Sequence, residues 1–176
     1  VSTFYYWMPA LLNAIGTRIS ADTTLTAMLG APTNVTASFP VPAVDPEGTS
    51  YPLITFAPVG SINDDTFEGR LELHTIEVHI FHQTMSLVDS MPLAKMIQIR
   101  DRLLGDWVCQ TTRIPTFGLD RWTPTFPAVT GIAQTDYVAD IMVFKSWVDA
   151  TGFDDSGVRE FVLTFEVRLE KRRPTS

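Results

Sequence analysis

Apolar positions recur with helical spacing through the first thirty residues. Leu11, Leu12, Ile15 and Ile19 fall on one face of a helix over residues 9–20, and Pro9 fits its first turn, where a missing N–H costs nothing. Gly16 weakens this helix without ending it. Asp22 stands where an N-cap belongs, ahead of Leu25, Met28 and Leu29, and Gly30 with Pro32 closes a short second helix. The pattern then lapses. Five prolines (Pro32, Pro40, Pro42, Pro46, Pro52) predict a long loop over residues 31–52, with a short strand near 35–39.

From Leu53 the pattern becomes that of strands. Residues 53–57 form a short apolar run ending near Pro58 and Gly60. Residues 61–70 hold Asn63, Asp64, Asp65 and Gly69, which predict a turn or long hairpin loop. The next strand, 71–83, changes phase: Leu71 and Leu73 share one parity, while Ile76, Val78 and Ile80 share the other. A β-bulge near Thr75, or cover on both faces, accounts for this. A helix follows, with Ser90 as N-cap, Pro92 in the first turn, a stripe of Leu93, Met96, Ile97, Leu103 and Leu104, and Gly105 at its end.

Residues 111–140 read as an irregular arm with Pro115, Pro124 and Pro127. Two strands close the chain, at 141–149 and 159–171, joined by a turn at 152–157. The last strand alternates most clearly. Phe161, Leu163, Phe165, Val167 and Leu169 lie on one face, with Glu160, Thr164, Glu166, Arg168 and Glu170 on the other. The resulting order, α-α-β-β-α-β-β, predicts an α+β fold: an antiparallel sheet of about four to five strands with two to three helices packed on one face. The 176 residues make one domain, comprising the loop 31–52, the arm 111–140 and a basic tail over 168–176.

Composition narrows the function. With 45% hydrophobic and 19% charged residues the chain can bury a core, and its net charge of −7 argues against a protein that grips nucleic-acid phosphates. No apolar run reaches the roughly eighteen residues a membrane helix needs, and residues 1–7 lack the basic start of a secretory signal. A single cysteine, Cys109, excludes an internal disulfide and Cys-rich zinc sites and reads as a buried thiol. The sequon at Asn34 is a chance match, because nothing else points to secretion.

Candidate chemistry is sparse. His74 and His82 share a strand face but lie roughly 26 Å apart at strand rise, and His79 points the other way, so no metal site is expected. The pairs Asp64–Asp65 and Asp154–Asp155 lack the alternating ligands and closing Glu of a calcium loop. No nucleophile elbow, phosphate loop or dinucleotide fingerprint occurs, so neither catalysis nor a cofactor is expected. Charge is distributed unevenly: residues 168–176 carry four basic residues and one acidic, against an acidic remainder. Such a tail suits an acidic surface, including a neighbouring copy of the chain.

The element order carries a resemblance. An N-terminal helix precedes Ala21-Asp22-Thr23-Thr24-Leu25-Thr26-Ala27-Met28-Leu29-Gly30, and a proline-bearing loop leads to Tyr51-Pro52-Leu53-Ile54-Thr55-Phe56. The strand Leu73-His74-Thr75-Ile76-Glu77-Val78-His79-Ile80-Phe81 follows, then a helix ending Ile99-Arg100-Asp101-Arg102-Leu103-Leu104 and the strand Phe161-Val162-Leu163-Thr164-Phe165-Glu166-Val167. Across residues 9–170 this series resembles the tail-completion (tail terminator) proteins of long-tailed bacteriophages. It departs from their compact pattern in the 31–52 loop and the 111–140 arm.

The resemblance implies a virion protein of the tail or neck, assembled in the host bacterial cytoplasm. It implies a homo-hexameric ring that caps the tail tube, stops addition of the major tail-tube protein and meets a head–tail connector. DNA then passes through the lumen without specific binding, and no catalytic residue carries over. Another phage neck, head-completion or minor tail protein fits the same residues, as does an unrelated α+β binding module. On any of these readings partner contacts belong to exposed loops, and the candidates are Asp64, Asp65 and Phe67, Asp154 and Asp155, and Arg172 and Arg173.

Overall fold

The computed structural model describes residues 7–30, 35–37, 51–66, 69–83, 90–105, 115–126, 137–150 and 157–171. Helices α1 (Trp7–Ser20) and α2 (Thr23–Leu29) precede a three-residue strand β1 (Val35–Ala37). Then come β2 (Leu53–Thr66), β3 (Gly69–Gln83), α3 (Ser90–Leu104), β4 (Tyr137–Asp149) and β5 (Val158–Lys171). The sheet order is β1-β2-β3-β5-β4. The four long strands are antiparallel neighbours, and β1 adds in parallel to Ile54, Thr55 and Phe56 of β2. This is the expected α+β architecture, with three helices against one face.

That face is the core. Ile54 and Phe56 of β2, Ile76, Val78 and Ile80 of β3, and Phe161, Leu163, Phe165, Val167 and Leu169 of β5 form one cluster with Leu11, Ile15 and Ile19 of α1. From α3 the fully buried residues are Met96, Ile99 and Leu103, while Leu93, Ile97 and Leu104 flank the cluster half-buried. Ile99 belongs to the stripe that the sequence placed around Ile97. Gly16 has a packing reason: a Cβ there would lie 3.2 Å from the Phe56 ring, so α1 approaches the sheet closely at that turn. Asp22 caps α2 as expected, accepting from Thr24 N and Leu25 N at 3.0 and 3.1 Å, and Gly30 ends the helix with φ of 80°.

Of the two expected causes of the phase change in β3, the structure has cover on both faces and no bulge in β3. β3 itself is regular, pairing with β5 from Arg70↔Lys171 to Gln83↔Val158 without a break. The bulge is in β2, where register shifts between Pro58 and Gly60, opposite Ile76 and Thr75. Proline has no N–H for the ladder, which makes this a natural point for the irregularity. The second face is also buried at its centre, at Thr55, Ala57, His79 and Phe81.

The loop expected over 61–70 is strand for most of its length. Asp64 pairs with Leu71 and Asp65 with Arg70, so the β2–β3 hairpin runs on to Thr66↔Gly69. Serine, asparagine and aspartate carry no apolar alternation, yet main-chain pairing with β3 holds them extended. The arm read over 111–140 is likewise more ordered in part. Residues 137–140 belong to β4, and 115–126 are docked on the fold.

Candidate interaction surface

The docked segment 115–126 covers part of one sheet edge. Leu119 N–H donates to Leu103 O at 2.7 Å and Asp120 N–H to Leu104 O at 3.1 Å, which continues from the end of α3. Arg121 N–H donates to Met142 O, and Met142 N–H donates to Trp122 O. Phe144 N–H donates to the Asp120 carboxylate at 2.8 Å. These bonds occupy the outward groups of β4 at 142 and 144, because the inward direction faces β5. Two glycines permit the crossing. Gly105 has φ of 103° and Gly118 φ of 79°, and a Cβ on Gly118 would stand 2.3 Å from Gly105 Cα.

Two arginines hold the same segment from the helix side. Arg18 donates to Gly118 O and Pro115 O, and its guanidinium lies 5.5 Å from the Trp122 ring centroid. Arg102 makes a two-point pair with Asp22 (2.6 and 3.0 Å) and covers Phe117 at 3.3 Å. Burial works to raise the Asp22 pKa, but the Arg102 bonds and the two backbone N–H donors outweigh it, holding the carboxyl below its ordinary value. A cleft of about 450 Å³ lies between α1 and the segment, lined by Asn13, Thr17, Arg18, Trp122 and Phe126.

The histidines separate to opposite faces. His74, buried on the core side, shares a 3.0 Å hydrogen bond with Glu72. Desolvation dominates there over the attraction of Glu72 and lowers the His74 pKa, so the neutral imidazole donates. His79 lies on the second face between Glu160 (2.5 Å) and Glu77 (3.2 Å), stacked beside Phe81. Burial pulls its pKa down, but the two carboxylates together overcome this and raise it. His82 bonds to Gln83 O. Among the described residues no three His, Cys, Asp or Glu side chains converge to hold a metal ion. No described helix is long and apolar enough to cross a membrane.

Of the loop candidates, only Asp64 and Asp65 fall within the described residues, as strand positions near the β2–β3 tip. Phe67, Asp154, Asp155, Arg172 and Arg173 lie outside them, as does Cys109. The topology still divides these candidates. Asp65 pairs with Arg70, which pairs with Lys171 just before the two arginines, so those groups attach to one end of the sheet. The β4–β5 connection carrying Asp154 and Asp155 leaves from the other end, near Gln83↔Val158. That is thirteen residues along β3, roughly 43 Å. One end of the sheet therefore does not carry all of these candidates.

Sequence reasoning missed another set of residues. Among the described residues the exposed large hydrophobic ones are Val59 (47%), Ile62 (66%), Trp147 (41%) and Val148 (53%). All four lie on β2 and β4, the long strands with open edges at opposite sides of the sheet. Trp147 packs its ring near Phe161 and under Arg100, 4.6 Å from its centroid. The only sequence signal for them was apolar residues in stretches without clean alternation.

The chain is thus an α+β protein with one helix-covered sheet face and apolar residues exposed along its edges. Neither a family model nor a curated protein matches it. Among solved structures, a chain in the virion of a native gene transfer agent (GTA) particle is similar, with a TM-score of 0.64 at 16% identity. The match covers 94% of this chain and 98% of that one. At this identity the likeness is one of fold.

Proposed function

We propose that this chain is a structural protein of a phage-like virion and acts as its tail terminator. In this role a ring of copies, six on the resemblance of the sequence, caps the tail tube, halts addition of tube subunits and meets the head connector. The observation that carries the reading is the fold likeness to a gene transfer agent virion chain, nearly end to end in both chains. An independent sequence resemblance to tail-completion proteins points the same way. The exposed apolar residues on both edge strands suit a protein that works in contact with others. No catalytic role and no cofactor enter the proposal; the acidic net charge of −7 suits a channel through which DNA slides without adhering.

Removing the gene from the producing phage tests this. Tails are expected to be abnormally long and unjoined to heads, and labelled protein restored in trans should locate to the head-proximal end of the tail. Tails of normal length that still fail to join would favour the alternative, a neck or head-completion component. Normal titre with label elsewhere would end both readings.

A further inference from the structure

Among the described residues, the two edge strands are open in complementary places. On β2, β1 pairs only with residues 54–56, and residues 59–62 are all exposed, including Val59 and Ile62. On β4, the 119–122 segment covers residues 142–144, and residues 145–149 are all exposed, including Trp147 and Val148. Open, apolar edge stretches of this kind are templates for pairing with another chain. We infer that copies of this chain associate side by side, residues 59–62 of β2 in one copy lying against residues 146–149 of β4 in the next. The occupant is a second copy of the chain, and the inference rests on the ring reading above for its closed symmetry.

Direction and register support this contact. Strands β2, β3, β5 and β4 alternate in direction, so β4 of one copy and β2 of an identically oriented neighbour are antiparallel, and the alternation continues across the boundary. Trp147 is level with Phe56 through Leu163 and Val78, so meeting the 59–62 stretch shifts the neighbour along the strands by four to five residues. That is roughly 13–17 Å against a width of roughly 19 Å for four strands, a strand tilt of roughly 35–40°. Closed rings of strands tilt by about 35–45°. A contact between unlike edges is also the kind that closes into a ring.

In this register Asp149 lies opposite Val59, so the neighbour's β4 ends before it reaches β1. Lys145, which pairs with Glu166 at 2.7 Å within its own copy, lies opposite the backbone of residue 63.

Cross-linking of the full chain in assembled particles tests the contact. Ser61→Cys and Ser146→Cys, both at exposed positions, are made singly and together with Cys109→Ser, and treated with a short bismaleimide. A parallel set retains Cys109, with the wild-type chain as blank, so that misfolding of Cys109→Ser does not remove the comparison. The double variant is expected to give a ladder of covalent multimers on denaturing gels and each single variant only monomer. A double variant that stays monomeric, or a dimer from either single variant, overturns the inference. Electron microscopy of the same particles reads the ring separately. A ring without a ladder keeps the ring and moves its interface elsewhere; a ladder without a ring at the tail end keeps the edge contact and removes the tail role.

Discussion

Two histidines, five residues apart on β3, respond to protons in opposite ways because the strand turns them to opposite faces. His79, gripped by Glu160 and Glu77, has a pKa above the ordinary 6.5, so folding takes up protons. Its stabilising contribution is full below the unfolded value and is lost as pH rises through the raised folded value. His74 is the reverse: burial lowers its pKa, so stability contributed by the neutral ring is lost as pH falls below the unfolded value. Melting curves should separate them. His79→Gln should cost more stability at about pH 6 than at about pH 8, while His74→Gln should flatten the loss seen on acidification. Equal destabilisation by His79→Gln at both pH values would show that the carboxylate pair does not hold the charged imidazole. Spacing alone placed the two rings on different faces; only packing decided that His74 meets one carboxylate and His79 two.

Among the elements, the docked segment 115–126 departs furthest from the sequence reading. The helices were legible because apolar period, Asp22, Gly30 and Gly105 coincide at their boundaries. Strand β5 was legible because one of its faces is buried along its whole length. The segment has no period, and its order comes from main-chain bonds to α3 and β4, from Arg18 and from the crossing of Gly105 and Gly118. Gly118→Ala should therefore destabilise the fold by about 2–4 kcal/mol, combining left-handed backbone strain with a clash against backbone that cannot move aside. Urea unfolding measures this, and a loss below about 0.5 kcal/mol would show that the crossing is loose. The hairpin tip was misread for the related reason that residues 61–66 are polar on a strand held by pairing with β3.

At the scale of the whole molecule, the ends of the sheet matter for assembly. The Asp64–Asp65 hairpin and the strand leading to Arg172 and Arg173 share one end, and the Asp154–Asp155 connection leaves the other. If the first end engages the tail tube, a phage with Phe67→Ala, Asp64→Lys and Asp65→Lys should make long tails that fail to join heads. Normal tail length and normal titre would remove that hairpin from the mechanism and leave the ring to other surfaces. The sequence by itself determined the element order, the helix caps, the core face of β5 and the α+β class, because each depends on local spacing and backbone preference. Tertiary structure alone decided the strand order, the bulge at Pro58, the docking of 115–126 and the open stretches of β2 and β4. Those depend on pairing between residues far apart in the chain, where an exposed Ile62 and a buried Ile80 have the same side chain and differ only in what the fold brings beside them.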